Sequence, residues 1–318
     1  MPRVEKLSRK VAIVGAGYVG ATSAYAMVIS GLCSELVLID LNKDKLNGEV
    51  LDLMNGASFV KPVQIVAGDY ADAAGADVVI IAAGANQKPG EDRLNLVNRN
   101  IKIFKDIIPK VCRACPEAIL LIVTNPVDIL SFAAQKISGF LANRVIGSGT
   151  VLDSSRFRQV LGNFFGVAAV NIHAHIIGEH GESEVPVWSM ANVAGVPLEQ
   201  YCRAINQDCR LLEKDKLFNE VKSAADQIIR GKGATYYAIG LAVRRIMEAL
   251  LRDENSILTV SSLVPNLYGV HDVCLSLPSI VNSSGVQRVL ELPINREEEE
   301  GFINSAKTVM AIIDQLEI

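Results

Sequence analysis

The chain has 318 residues, of which 50% are hydrophobic and 21% charged, so it is too apolar for an intrinsically disordered protein. Its length predicts one large domain or two of medium size. The net charge of −4 creates no positive field that would attract nucleic acid or an anionic membrane surface. We therefore expect neither a nucleic-acid partner nor a membrane partner.

Cysteine content and apolar run length predict the cellular compartment. Six cysteines are few for this length and predict no disulfide framework, which favours a reducing compartment. The N-terminal residues MPRVEKLSRK carry scattered charges and lack the apolar core of a secretory signal. The longest apolar runs, residues 78–84 and 118–123, are far shorter than the roughly 20 residues needed to span a bilayer. We expect a cytoplasmic protein.

Short apolar runs alternate with longer helix-patterned segments through the first half of the chain. Several runs are unbroken and rich in Val and Ile, as in parallel strands covered on both faces. The segments between them are long enough for crossover helices, so we predict an α/β fold with a doubly wound, parallel, six-stranded (Rossmann) sheet. The predicted strands are residues 11–14, 36–39, 63–67, 78–82, 119–123 and 145–146.

The strand–helix alternation ends near Gly147, and we predict two closely packed domains, residues 1–148 and 149–318, the second of the α+β class. The last segment is an amphipathic helix, with the four glutamates 297–300 at its start, where the helix dipole favours negative charge. The other predicted elements of this half are a helix over 153–161, an alternating segment over 169–177, a mostly helical stretch over 199–252, and strand-like runs at 257–260 and 270–275.

A glycine motif directly follows the first predicted strand and precedes a helical segment. In the pattern G-x-G-x-x-G, Gly15 makes the tight turn, Gly17 lets the backbone approach a pyrophosphate, and Gly20 permits close helix–strand packing. The phosphates would lie at the helix N-terminus, which attracts anions. Such a motif alone can be a simple glycine-rich turn, but its position between strand and helix favours a dinucleotide site that includes the two residues Tyr18 and Val19.

Asp40 ends the second predicted strand, 20 residues after Gly20. An acid at this place accepts hydrogen bonds from the adenosine ribose hydroxyls. It would also repel the 2′-phosphate of NADP, and Leu41 and Asn42 offer no arginine to bind that phosphate. The predicted cofactor is therefore NAD.

Three residues of the second half together suit carbonyl reduction. Asp153 and Arg156 are three residues apart on a predicted helix, which places them on one face. His180 follows in the segment Gly178-Glu179-His180-Gly181. Transfer of a hydride to a carbonyl needs a proton donor, a cation for a substrate carboxylate, and a group that polarises the carbonyl. Taken singly, an Asp-x-x-Arg pair is usually a solvated ion pair and a lone histidine is usually structural.

Together these motifs resemble those of the NAD-dependent L-lactate and malate dehydrogenases. The resemblance extends over nearly the whole chain, and its specificity comes from six motifs in the same order. They are Gly15–Gly20, Asp40, Gly90-Glu91-Asp92-Arg93-Leu94, Thr124-Asn125-Pro126-Val127-Asp128, Val151-Leu152-Asp153-Ser154-Ser155-Arg156 and Gly178–Gly181.

The resemblance implies a role for each matching residue. His180 would be the acid/base, Asp153 would hold its imidazole and stabilise the protonated form, and Arg156 would bind the substrate carboxylate in a two-pronged fork. Arg93 would polarise the reacting carbonyl from a lid over residues 84–96.

Four further residues would complete the site in this family. Asn125 would contact both the nicotinamide ribose and the substrate, and Ser148 the nicotinamide side. Thr235 would lie beside the small end of the substrate, and Gly84 belongs to the cofactor contacts. Plainer interpretations remain for two of them, since Asn125-Pro126 could be a strand-ending turn and Thr235 a helix start.

The substrate prediction depends on Gln87, six residues before Arg93. Malate dehydrogenases resemble one another in carrying arginine there, which pairs with the second carboxylate of oxaloacetate. A neutral amide cannot compensate the desolvation of that carboxylate. The resemblance therefore implies reduction of pyruvate to L-lactate, with malate dehydrogenase or another 2-hydroxy-acid dehydrogenase as the alternative. Lys88 is adjacent, but the family pattern directs that position away from the substrate.

A second site is implied by Arg158 and His173. Arg158 is two residues after Arg156 and points away from it on a helix. In bacterial lactate dehydrogenases activated by fructose 1,6-bisphosphate, arginine and histidine at these matching positions bind the sugar phosphate between subunits. The resemblance implies the same activator and a homo-oligomer, namely a tetramer. The plainer interpretation is surface charge.

Three other features of the sequence suit different functions less well. Cys112 and Cys115 form a C-x-x-C at the end of a helical run, where neither thioredoxin-like chemistry nor zinc binding is favoured, and we expect no metal site. A NAD-dependent glycoside hydrolase would need a metal held by Cys and His, and no cysteine lies near residues 171–180. A non-catalytic dinucleotide-binding protein would not need the set of His180, Asp153, Arg156 and Arg93.

Overall fold

The first half of the chain folds into a parallel sheet with helices on both faces. The computed structural model describes residues 9–85 and 93–317, without the side chain of Arg93. The strands are β1 (Lys10–Val14), β2 (Glu35–Ile39), β3 (Gln64–Ala67), β4 (Val78–Ile81), β5 (Ile119–Ile122) and β6 (Val145–Gly147). The helices are α1 (Tyr18–Ser30), α2 (Lys43–Asn55), α3 (Arg93–Ala114) and α4 (Val127–Ser138).

These six strands are all parallel and lie in the order β3-β2-β1-β4-β5-β6. The predicted doubly wound sheet is thereby confirmed, each strand within about two residues of its expected position. The order reverses between β1 and β4, and in open α/β sheets ligands bind at such a switch point, outside the carboxyl ends of the strands.

The second half combines helices with short antiparallel strands. Its helices are α5 (Val151–Phe165), α6 (Leu198–Ala204), α7 (Lys214–Lys232), α8 (Tyr237–Leu251) and α9 (Arg296–Ile313). Its strands are β7 (Ile172–His173), β8 (Ile176–Ile177), β9 (Val185–Pro186), β10 (Asn192–Val193), β11 (Val196–Pro197), β12 (Ser256–Leu263), β13 (Cys274–Asn282) and β14 (Gly285–Val289). The α+β class predicted for this half is confirmed.

The two halves share one sheet, which the sequence patterns did not predict. Strand β12 pairs antiparallel with β6 through Ser261 and Gly147, and β13 and β14 extend the sheet to nine strands. The predicted strand over residues 270–275 was largely wrong, because β13 begins at Cys274 and continues through Pro278. Buried polar residues such as Ser276 and Ser279 hide this strand from an apolar pattern.

Alternation along the strands divides the core between the two faces of the sheet. Alternate strand residues point to opposite faces of the sheet. Those on one face, such as Val14 and Ile81, pack with α3, α4 and α9, and those on the other, such as Ile13 and Ile80, pack with α1 and α8. A third cluster, around Phe157 and Leu161, joins α5 to α6 and α7. Within the described part of the chain, no helix is both long and apolar enough to cross a membrane.

The C-terminal helix begins where the glutamates predicted it. Asn295 caps α9 by accepting from the Glu298 backbone N–H, and the Glu298 side chain accepts from the Asn295 N–H in return. Glu298 is buried because its carboxylate also accepts from the backbone N–H and the hydroxyl of Ser189. Phe302, Ala306 and Val309 form the buried face.

The cysteines differ in part from the sequence-based expectation. Cys202 and Cys209 are joined by a disulfide, a pair that the sparse cysteine content did not predict. Cys112 and Cys115 are free, and burial raises the pKa of both thiols. The Cys115 thiol donates to the Ala73 carbonyl, which suits the structural role expected of this pair.

Candidate active site

The glycine loop between β1 and α1 has the geometry of a phosphate site. A Cβ at Gly15, where φ is +103°, would lie 2.5 Å from the Ala83 backbone N, and one at Gly20 would lie 1.8 Å from the Gly15 carbonyl oxygen. A Cβ at Gly17 would meet nothing within 4 Å, so open space lies over this residue. Gly17 caps α1 without a side-chain acceptor, which leaves first-turn N–H groups for an anion.

Asp40 faces this loop from the end of β2. Its carboxylate accepts hydrogen bonds from the backbone N–H groups of Ala16 (2.7 Å) and Asn42 (2.8 Å). The carboxylate is partly exposed beside the open space at Gly17, where it can also accept from ribose hydroxyls. These features fit the adenosine and pyrophosphate parts of a dinucleotide.

The loops after β4, β5 and β6 carry the other expected cofactor contacts. The buried Asn100 side chain of α3 ties two of these loops together, since its Oδ1 accepts from the Ala85 N–H (2.7 Å) and its Nδ2 donates to the Asn125 carbonyl (2.9 Å). Gly84 packs so closely that a Cβ would lie 2.2 Å from Thr124 Cγ2. Ser148 is buried after β6. The structure thus brings these loops to one edge of the sheet.

His180, Asp153 and Arg156 meet in one cluster. His180 Nδ1 lies 2.6 Å from Asp153 Oδ2, and Arg156 Nη1 donates to Asp153 Oδ1 at 2.9 Å. Asp153 is buried in the first turn of α5, whereas the His180 side chain keeps 27% of its surface exposed. The carboxylate therefore holds the imidazole by Nδ1, and within residues 9–85 and 93–317 the other ring nitrogen has no hydrogen bond and can face a substrate.

Charges in this cluster shift the pKa values of both partners. The Asp153 carboxylate raises the pKa of His180 to about 9 despite the burial that opposes it. Burial alone would raise the pKa of Asp153, but the charges and hydrogen bonds of His180 and Arg156 outweigh it and lower that pKa. The imidazole is consequently protonated and the carboxylate ionised at neutral pH, as a proton donor and its stabilising anion must be.

Comparisons with known proteins agree with this geometry. Residues 9–147 match the family model described as the lactate/malate dehydrogenase NAD binding domain, and residues 150–317 match that of the alpha/beta C-terminal domain. The chain belongs to the lactate/malate dehydrogenase family. It is an oxidoreductase of this family, and its cofactor is NAD.

Individual members of the family match over nearly their full lengths. The L-lactate dehydrogenase of Acetivibrio thermocellus is 54% identical over 98% of this chain and 99% of its own. L-lactate dehydrogenase 1 of Clostridium acetobutylicum is 52% identical over the same shares. The crystal structure of the minor L-lactate dehydrogenase from Enterococcus mundtii in the ligands-bound form superposes with a TM-score of 0.93 at 40% identity, covering 98% of this chain and 100% of that one.

The other expected site residues of this dehydrogenase either lie outside the described residues or lie on the cofactor side of the site. Gln87 and the side chain of Arg93 lie outside the described residues. Thr235 is partly buried between α7 and α8, and the adjacent Tyr236 stacks on Tyr18 of the glycine loop with ring centroids 5.2 Å apart. The Thr235 segment therefore lies on the cofactor side of the site. Val19 follows Tyr18 in α1.

The predicted activator residues lie away from the catalytic cluster. Arg158 donates to the Ser154 carbonyl (3.1 Å) and lines a cavity of about 370 Å³ between α5 and α8. His173 is exposed on β7. Burial, with the positive charges of Arg158 and His173, lowers the pKa of His175 to about 4. Arg158 and His173 thus lie close enough to His175 to disfavour its protonation.

Two acidic residues near His180 were missed by sequence reasoning. Asp128 accepts from the His180 backbone N–H (2.7 Å) and from the Ser261 hydroxyl (2.6 Å), and burial raises its pKa. The sequence feature that could have revealed Asp128 is an acidic residue in the otherwise apolar start of α4, at the end of the motif that begins at Thr124. The second, Glu184, carries no signal in the sequence beyond its place four residues after His180.

Proposed function

We propose that this dehydrogenase reversibly reduces pyruvate to L-lactate. The observation that carries the proposal is the His180–Asp153–Arg156 cluster, with a protonated imidazole beside a guanidinium that can bind a carboxylate. The lactate dehydrogenase names of the relatives support it.

Each residue of the cluster contributes one step. NADH, when bound, supplies the hydride that reaches the carbonyl carbon. Arg156 binds the substrate carboxylate and fixes its orientation. His180 donates a proton from Nε2 to the oxygen on which negative charge develops, and Asp153 keeps the proton on Nδ1 in place. In lactate oxidation the neutral imidazole of His180 takes the hydroxyl proton back.

Further residues are assigned to the same site by the family pattern. Arg93 would polarise the carbonyl, Asn125 and Ser148 would contact the nicotinamide side, and Thr235 would lie near the methyl group. Gln87 would select pyruvate, because it offers no cation for a second carboxylate.

The test is NADH consumption with pyruvate and with oxaloacetate at neutral pH. We expect the wild-type enzyme to prefer pyruvate, and Gln87→Arg to shift the preference toward oxaloacetate. Turnover of oxaloacetate alone would make the chain a malate dehydrogenase. If the ratio of pyruvate to oxaloacetate turnover is unchanged in Gln87→Arg, Gln87 does not select the substrate.

We also propose that fructose 1,6-bisphosphate activates the enzyme by binding between subunits at Arg158 and His173. Arg158 and His173 both lie close enough to His175 to lower its pKa, which supports this, because one bisphosphate could contact both side chains. Binding that favours the active oligomer would raise activity by population shift.

Exposed apolar side chains support a homotetramer. Val170 is 84% exposed and Leu241 61% exposed, and both border the Arg158 cavity. Arg158→Ala should abolish activation by the sugar bisphosphate and leave the maximal rate intact. Activation that persists in this variant would reduce Arg158 to a surface charge, and sedimentation with and without the bisphosphate would measure the oligomer.

A further inference from the structure

A third ionisable group adjoins the catalytic pair without a role in the steps above. Glu184 lies just before β9 with only 8% of its surface exposed. Single side-chain atoms of Asp153, His180 and Glu184 all lie within 4.8 Å of one another. A cation would fit this spacing, but Asp153 already holds both the His180 imidazole and Arg156. The three groups are better explained as a site that shares protons.

The Glu184 carboxyl has no direct counter-ion in the described part of the chain. Asp153 and Arg156 face it from α5, Lys222 from α7, and His180 from its own loop. The Lys222 ammonium is already bonded to Glu182, whose carboxylate lies 3.1 Å away and whose carbonyl accepts at 2.8 Å. An ionised Glu184 would therefore lie next to the negative charge of Asp153 without a hydrogen-bonded cation of its own.

Behind Glu184, a cavity of about 500 Å³ gives its carboxyl a route to solvent. Charged residues of α7 and α9 line this cavity, and all but one of them are acidic. They are Lys214, Asp215, Glu297, Glu298 and Glu300. This cavity offers Glu184 a route for exchanging a proton with water.

Protonation of Glu184 and His180 must be interdependent. Burial, followed by the negative charge of Asp153, raises the pKa of Glu184, while the pKa of His180 is raised to about 9 in part by the charge of Glu184. Both groups then lose protons in neighbouring ranges of pH, and each proton lost alters the affinity of the other group.

We propose that Glu184 is a positioning residue that, as an anion beside the imidazole, keeps His180 protonated as the pH rises. The O–H bond of the Glu184 carboxyl breaks, its electron pair stays on the carboxylate oxygen, and the proton leaves to water in the cavity. The new negative charge then stabilises the imidazolium, so the proton donor of the reaction survives at higher pH. The kinetic part of the test rests on the proposed function, whereas the NMR part is independent of it.

The test compares Glu184→Gln with the wild-type enzyme. His180 titration is followed by NMR of protein labelled at histidine Cε1, with the His180 signal assigned by its loss in His180→Gln. Loss of the anion should lower the midpoint by about one pH unit. The alkaline limb of kcat/KM for pyruvate reduction should move down by the same amount. Glu184→Ser, a smaller neutral variant, should reproduce both shifts if the glutamine disturbs folding.

Two further variants separate charge from structure. Glu184→Asp keeps a carboxyl group and should retain most of the wild-type midpoint. Glu297→Gln removes an exposed carboxyl from the same cavity and should leave the midpoint unchanged. Equal His180 midpoints in folded Glu184→Gln, Glu184→Ser and the wild type would overturn the inference. A wild-type enzyme inactive on pyruvate would overturn only the proposed function, because the NMR midpoints do not depend on turnover.

Discussion

His175 and His180 lie five residues apart, yet their surroundings shift their pKa values in opposite directions. The Asp153 carboxylate raises the pKa of His180 to about 9. Burial, aided by the charges of Arg158 and His173, lowers that of His175 to about 4. The same side chain therefore serves as a proton donor at one place and as a neutral group at the other.

Replacement of the carboxylate should expose its contribution to His180. In Asp153→Asn the imidazolium loses its anion, so the alkaline limb of kcat/KM for pyruvate should move from near pH 9 to about pH 7 or lower. The rate at neutral pH should fall by about 10²–10³-fold, within the usual range for general acid catalysis. Steady-state kinetics from pH 5 to 10 measure both. An alkaline limb that stays near pH 9 in this variant would show that a group other than His180 produces it.

Arg156→Lys tests how the substrate carboxylate is bound. Lysine keeps the positive charge but cannot form two parallel N–H···O bonds, so the KM for pyruvate should rise about 100-fold, equivalent to about 3 kcal/mol. NADH affinity should not change, because Arg156 contacts Asp153 rather than the glycine loop. Fluorescence titration of NADH provides the control, and a KM within threefold of the wild type would contradict the assignment.

Spacing alone predicted part of this cluster. Asp153 and Arg156 were placed together because residues three apart on a helix share a face, and the structure shows them bonded. His180 was singled out as the proton donor that the reaction needs, but only the resemblance joined it to Asp153, since nothing in the local sequence shows that its loop returns to α5. Glu184 was missed because the ionisation of a carboxyl depends on burial and neighbouring charges that only the fold supplies.

At the scale of elements, four of them hold the loop that carries His180. Gly178 and Ser276 of β13 exchange two backbone hydrogen bonds of 2.9 Å. The Ser305 hydroxyl of α9 accepts from the Glu179 N–H at 2.7 Å. Asp128 of α4 accepts from the His180 N–H and is itself held by Ser261 of β12. Since β12 pairs with β6, the nine-stranded sheet fixes the imidazole relative to the cofactor edge.

Asp128→Ala should loosen this support without removing a group that touches substrate. The His180 N–H and the Ser261 hydroxyl would both lose their buried acceptor, at a cost of about 2–4 kcal/mol in the free energy of unfolding. We expect kcat to fall at least tenfold, with little change in NADH binding. Urea denaturation and steady-state kinetics measure the two effects. Unaltered kcat in a destabilised variant would show that Asp128 stabilises the fold without positioning His180.

The strands of the second half were harder to predict than those of the first. Parallel strands buried on both faces are continuous apolar runs, as in Val78–Ile81, which a sequence pattern reveals directly. Strand β13 instead buries Ser276 and Asn282, which find their partners, the Thr150 N–H and the Asn255 side chain, only in the folded protein. Its pairing with β12 and β14, and through them with β6, joins segments that are distant in the sequence.

For the whole molecule, the two shifted histidines predict opposite slopes of stability against pH. The pKa of His180 rises on folding from 6.5 to about 9, so its contribution is complete below pH 6.5 and is lost as the pH rises through 9. The pKa of His175 falls on folding from 6.5 to about 4, so the unfolded chain binds a proton that the folded one excludes, and stability is lost as the pH falls from 6.5 toward 4.

Each contribution is on the order of 3 kcal/mol in the free energy of unfolding. His175→Asn should flatten the acid side of the stability profile and leave the alkaline side unchanged, whereas His180→Asn should do the reverse. Urea denaturation from pH 4.5 to 9.5 measures both profiles, at one protein concentration because association would otherwise change the apparent stability. His271→Asn supplies a matched replacement of a surface histidine, since the His271 side chain is 62% exposed beside Asp272. Parallel profiles for all three variants would refute the linkage and place the pH dependence of stability in the carboxylates.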